Sequence, residues 1–172
     1  MSAARTDFAR ESARYLREVY LPRMERALAA LPAGDLWWRP HEKCLSVGNI
    51  LLHLEGNVRQ WILSGLGGQP DRRERAAELA AEGGREAPAL FAQLRATVLA
   101  AADLVARFDA EKLAAVFRIQ GGETTGEAAI YHVVEHFAWH TGQAVWIAKA
   151  RAGPGHGVAF HDDARANAAR NG

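Results

Sequence analysis

The chain has 172 residues, 49% of them hydrophobic, which suits one globular domain able to bury a core without covalent staples. Its 21 basic and 20 acidic side chains nearly cancel, so no strong field exists to hold a polyanion, and neither nucleic acid nor an anionic membrane is expected as a partner. One cysteine, Cys44, excludes an intramolecular disulfide; with no apolar stretch in MSAARTDFAR and no run near the ~18 apolar residues of a membrane span, the expectation is a soluble, cytoplasmic protein.

From Thr6 to about Leu31 helix formers dominate, and Phe8, Tyr15, Val19, Leu21, Met24 and Leu28 recur at spacings near three and four, which predicts a first helix. Pro22 lies inside it and removes an amide donor, so a kink is expected there. Residues 32–45 (PAGDLWWRPHEKCL) carry two prolines and a glycine and predict a connection, with Trp37 or Trp38 covering the end of the core. Ser46 then stands as N-cap for VGNILLHLEGNVRQWILSG, a second helix that Gly65, Gly67 and Gly68 should end. Residues 66–87 are charged and glycine-punctuated, with a short helix expected around 73–81. A link of this length can return along a bundle and start a parallel neighbour. The third helix is predicted from Pro88, a favoured first-turn residue, to Phe108. After it, IQGGETTGEAA offers a turn and a capping box, Thr124 with Glu127, opening a fourth helix that stops at Gly153 and Pro154. No strand-like alternation is visible. The predicted fold class is all-α, a four-helix bundle with a long crossover between helices 2 and 3, forming one domain over 1–153 with a flexible tail over 154–172.

In the fourth helix His132, His136 and His140 follow one another at intervals of four, on a stripe flanked by Ala129, Val133, Phe137, Ala144 and Ile147. In the second, His53 groups with Ile50, Leu54, Asn57 and Trp61, while Glu55 and Arg59 fall opposite. These imidazoles point inward. A single histidine on an apolar face is ordinarily a core residue satisfied by its neighbours, but burying several is costly unless each nitrogen finds a partner. A pair at i, i+4 with a third from a facing helix is also a workable ligand set for zinc or nickel, and spacing alone leaves both readings open. Glu127 and Glu135 fall away from the inward arc and read as solvated. His132 could touch a ligand or be a polar neighbour at the rim, and the latter is the expectation. His41 in a loop and His156 and His161 in the tail are assigned no role. Cys44 reads as an inert, partly buried thiol rather than a ligand, and Trp61 as core rather than pocket lining, whereas Arg72, Arg73 and Arg75 could bind an anion or form only the solvated surface of the link, which the sequence leaves open.

The segments HLEGNVRQWILSG, with His53, and HVVEHFAWHTGQ, with His136 and His140, resemble the two histidine-bearing segments of the DinB-like (YfiT-like) superfamily of metal-dependent hydrolases, and the likeness covers residues 8–151. SVGNILLH matches that family's approach to its first ligand, and HTGQ stands where it commonly has a histidine followed by RGQ. Thr141 replaces that arginine, so no role of that side chain carries over. The resemblance implies two antiparallel helix pairs joined by a long crossover, and a nickel or zinc site that falls on His53, His136 and His140. Thiol-dependent transferases and an isomerase belong to the superfamily, so it implies a metal-dependent enzyme of thiol S-transferase or hydrolase type. Such an enzyme would act on a small molecule, with an open coordination position and a low-molecular-weight thiol as cosubstrate. Neither inward arc carries a carboxylate, so the metal would do most of the activation. The alternative is a non-enzymatic, stress-related bundle whose metal site is structural or vestigial. Five tryptophans could leave apolar surface for a twofold partner, and a homodimer is expected.

Overall fold

The computed structural model describes the backbone of residues 2–155 and the side chains from Asp7 onward; His156, His161 and nearly all of the expected tail lie outside the described residues. The chain is mainly helical, as predicted, with one short hairpin. Its first helical run comprises α1 (Ser2–Arg14), a π-helical turn (Tyr15–Tyr20) and α2 (Leu21–Ala30). The disturbance expected at Pro22 takes the form of that π turn, in which the Leu21 N–H donates to the Leu16 carbonyl. The wider turn makes room for a ring that would press on the carbonyl four residues back. Trp37 and Trp38 both pack half-buried against the core, as the connection predicted.

Ser46 caps α3 (Val47–Val58) through a reciprocal box, its Oγ accepting from the Asn49 N–H at 3.1 Å while its own N–H donates to Asn49 Oδ1 at 3.1 Å. The helical run continues through a π segment (Arg59–Leu66) that contains Gly65 and ends at Gly67 and Gly68. A short α4 (Arg75–Ala80) follows, then α5 (Ala87–Val105). By length and composition alone α5 is apolar enough to cross a membrane, which the sequence reading did not anticipate. It spends that apolarity on the core, where Leu90, Leu94, Val98, Ala101, Ala102 and Val105 are buried.

Between α5 and the last helix the turn that was expected is a larger structure: α6 (Ala110–Ala114) and an antiparallel hairpin of β1 (Val116–Ile119) and β2 (Gly122–Thr125). Strands of four residues leave too little alternation to be seen in the sequence. Gln120 and Gly121 form its two-residue turn with φ of 53° and 80°. Ile119 fixes the hairpin by seating on Gly65, where a Cβ would come within 2.5 Å of Ile119 Cδ1. Because Thr124 is paired with Phe117 in the hairpin, the predicted Thr124–Glu127 box does not form. Thr125 instead caps α7 (Gly126–Ala152), accepting from the Ala128 N–H at 3.1 Å, and Gly153 ends that helix as predicted.

α3 is the hub, packed on α5, α7 and α4. It is buried on nearly every face because α5 and α7 cover two sides and the link between α3 and α5, though mostly exposed itself, is strapped across a third. Asn49 Nδ2 donates to the carbonyls of Glu78 at 3.0 Å and Ala81 at 2.8 Å. Trp37 Nε1 donates to the Arg85 carbonyl at 3.2 Å, and Arg39 pairs with Glu82.

Candidate metal centre

One turn separates His136 from His140 on α7, and His53 reaches them from the facing side of α3. The three Nε2 atoms meet: His136 Nε2 lies 3.2 Å from His53 Nε2 and 3.2 Å from His140 Nε2. His53 and His140 are buried and His136 half-buried. No other His, Cys, Asp or Glu joins this group among the described residues.

The partners on the outer nitrogens decide which atoms carry protons. Glu78 Oε2 stands 3.1 Å from His53 Nδ1, and Gln143 Oε1 stands 2.7 Å from His140 Nδ1. Both oxygens are acceptors, so both Nδ1 atoms donate and both Nε2 atoms present lone pairs to the common point. Arg73 Nη2 also lies 3.1 Å from His53 Nδ1, but one of its two N–H groups donates to Glu78 Oε2 at 2.8 Å, and that carboxylate oxygen, equally near Nδ1, can only accept. A bare Nδ1 would set its lone pair against the carboxylate, so the proton stays on Nδ1. A proton on His136 Nε2 could satisfy one of the two facing lone pairs, never both, and His136 Nδ1 has no partner among the described residues. A cation satisfies all three nitrogens. In a tetrahedral site with metal–nitrogen bonds of about 2.0–2.1 Å, ligand nitrogens stand about 3.4 Å apart, close to the spacing seen. The donor set therefore fits a divalent ion.

Glu78 and Arg73 are what the sequence reading missed. The Arg73 side chain is only 3% exposed, not part of a solvated charge run, and its Nε donates to Glu78 Oε1 at 2.8 Å. The pair lies directly on Gly56 of α3, where a Cβ would come within 1.9 Å of Glu78 Oε1. Burial would raise the Glu78 carboxyl, but hydrogen bonds from Arg73 and His53 outweigh it and hold the group below its ordinary range. No periodicity links residues 73 and 78 to His53. The only trace was a glycine one turn from the histidine on α3 and a link too long for a simple turn.

The remaining candidates fall into place around the cluster. His132 stays outside it, its ring 4.2 Å from that of Trp61 and its Nε2 3.3 Å from Asn57 Nδ2. Trp61 packs on the core, Cys44 is a half-buried free thiol, and His41, Arg72 and Glu135 are exposed. Glu127 is half-buried rather than solvated. Thr141, where the resemblance has arginine, is buried, and its Oγ1 has no hydrogen-bond partner among the described residues. Desolvation, reinforced by the neighbouring imidazoles, pushes His136 down to about 3 and His140 down to about 4, and burial lowers His132 as well.

A polar cavity of about 440 Å³ opens onto His53 and His136 and is shared by Asn57, His132, Arg73 and Arg75. A larger apolar cavity of about 520 Å³, under the exposed Trp139 and Trp146, touches the site through Gln143. The smaller one gives access to the histidines.

Fold and site together define a mainly helical protein with a buried three-histidine cluster. The chain belongs to the family described as protein of unknown function (DUF1572), which it matches over residues 5–154. No curated protein and no solved structure matches it significantly.

Two outcomes follow from this geometry. Glu78→Ala should weaken zinc or nickel binding about 10–100-fold, as loss of a ligand's hydrogen-bond partner does. Gly56→Ala, which must push the carboxylate aside, should act in the same direction with the helical circular dichroism retained; equilibrium dialysis showing wild-type affinity in both variants would refute the role given to Glu78. In metal-free protein the lowered histidines make the unfolded chain the better proton acceptor below its own pKa of about 6.5. Stability should therefore be flat above pH ~6.5 and fall as pH drops toward about 4 and about 3. Urea midpoints of chelator-treated protein check this, and His136→Gln should flatten the dependence.

Proposed function

We propose that the protein is a metal-dependent enzyme of the DinB-like superfamily, a four-helix bundle whose link between α3 and α5 is the long crossover. The reading assigns His53, His136 and His140 as ligands of zinc or nickel and the reaction as thiol S-transfer or hydrolysis of a small molecule. The observation that carries it is the polar cavity against His53 and His136, with no fourth protein ligand in the cluster among the described residues. A structural site is closed by a fourth ligand, whereas a catalytic one keeps a position open.

When bound, the ion would supply the Lewis acidity that makes a thiol or water nucleophilic near neutral pH. The chain's own residues prepare the site for that chemistry. Glu78 and Gln143 keep the protons of His53 and His140 on Nδ1, which leaves both Nε2 atoms free. Desolvation holds His136 and His140 neutral, so protons do not compete for these nitrogens near neutral pH. Asn57 Nδ2 donates to His132 Nε2, which leaves the His132 proton on Nδ1. The second reading, a stress-related bundle with a structural metal, lacks a use for an accessible polar cavity.

His136→Ala should lose tight metal binding while remaining a folded helical protein, because the core around Phe137, Leu94 and Ile50 is untouched. Metal content by mass spectrometry and turnover with a low-molecular-weight thiol and an electrophile, or with ester and amide substrates, read the two consequences. Wild-type protein should turn over one of these classes, and the variant should be slower by at least about 100-fold. Metal-loaded wild type that turns over none of them would favour the structural reading.

A further inference from the structure

We propose that the polar cavity is built for a substrate bearing a compact oxyanion, a carboxylate or phosphate, anchored by Arg75 and positioned by Gln120; the inference rests on the metal-dependent reading above. The cavity wall is positively charged. Neither an aspartate nor a glutamate borders the cavity among the described residues, whereas Arg73 and Arg75 do. Arg73 is already engaged, with Nε and Nη2 on Glu78 at 2.8 Å each and Nη1 on Gln60 Oε1 at 3.0 Å. Its charge and that of Glu78 cancel. Arg75, exposed at the start of α4, has no ion-pair partner among the described residues. Three neutral imidazoles leave the charge of a divalent ion uncompensated, so a neutral occupant would leave the cavity strongly positive, and an anion relieves this.

The hairpin bears on the same cavity independently. Gln120 is the one non-glycine residue with positive φ among the described residues, at 53°. A two-residue turn of this kind favours Gly, Asn or Asp there, and backbone held in such a conformation is typically retained where function uses it. The use is visible: Gln120 borders the cavity, and its Nε2 donates to Gln60 Oε1 at 2.5 Å, the same oxygen that Arg73 grips. Glycine would relax the turn and remove that wall. Asn57 also borders the cavity, and its buried Oδ1 has no partner among the described residues, leaving an acceptor for an N–H or O–H of the occupant.

The test is isothermal titration of nickel-loaded protein with succinate, inorganic phosphate and uncharged succinamide, with nickel content measured for every variant. At least one anion should bind wild type and succinamide should not. Arg75→Gln should weaken that anion about tenfold, the loss expected for one charge-assisted hydrogen bond. Arg72→Gln, exposed and outside the cavity, should bind as wild type, and Gln120→Gly should weaken the anion although its backbone strain is relieved. Nickel content should be the same in all four proteins. Wild-type anion affinity in Arg75→Gln, or no anion binding at all, overturns the proposal. If wild type holds no nickel, the metal reading fails separately, and the same titration on metal-free protein still shows whether Arg75 governs anion binding.

Discussion

Everything at this site depends on one hydrogen bond, from His53 Nδ1 to the carboxylate of Glu78 at 3.1 Å. It fixes the tautomer of the ring, and with Gln143 acting likewise on His140 it turns two Nε2 lone pairs toward a third imidazole 3.2 Å away. Packing alone does not favour that arrangement, because buried acceptors facing one another are an unsatisfied cost. A cation removes the cost for all three rings at once, so the polar order outside the cluster dictates what its centre can hold.

That hydrogen bond in turn rests on the strap between α3 and α5. Glu78 reaches His53 because Asn49 grips the carbonyls around it, Arg73 neutralises it, and Gly56 leaves the space it fills. The same Asn49 completes the cap of α3, so the start of the helix and the covering of its histidine share a residue. From Arg73 the network continues through Gln60 to Gln120 at the hairpin tip, which joins the far wall of the cavity to the residue orienting a ligand. The hairpin tip is thus tied by hydrogen bonds to the residues that partner His53 Nδ1.

The sequence made the helical half of this legible and the strap illegible, for a physical reason. His136 and His140 announce themselves by sitting one turn apart on an apolar stripe, and His53 by lying among Ile50, Leu54 and Asn57 on the facing helix. Ser46 is equally plain as a cap. Arg73 and Glu78, by contrast, acquire meaning only when a segment without regular periodicity folds back on α3, and nothing local distinguishes them from solvated charges. The hairpin hid because its strands are four residues long, and its presence moved the cap of α7 by one residue, from Thr124 to Thr125. α5 shows the converse, since its composition would suit a membrane and only its packing shows a core helix.

The central claim is that three imidazoles, and no other side chain, hold an ion with a position left open. X-ray absorption at the nickel or zinc edge of the reconstituted full-length protein tests it directly. Three imidazole nitrogens at about 2.0–2.1 Å are expected, with a further oxygen scatterer that is replaced by sulfur when a low-molecular-weight thiol is added. A fourth imidazole or a protein carboxylate in the shell, unchanged by thiol, would contradict it.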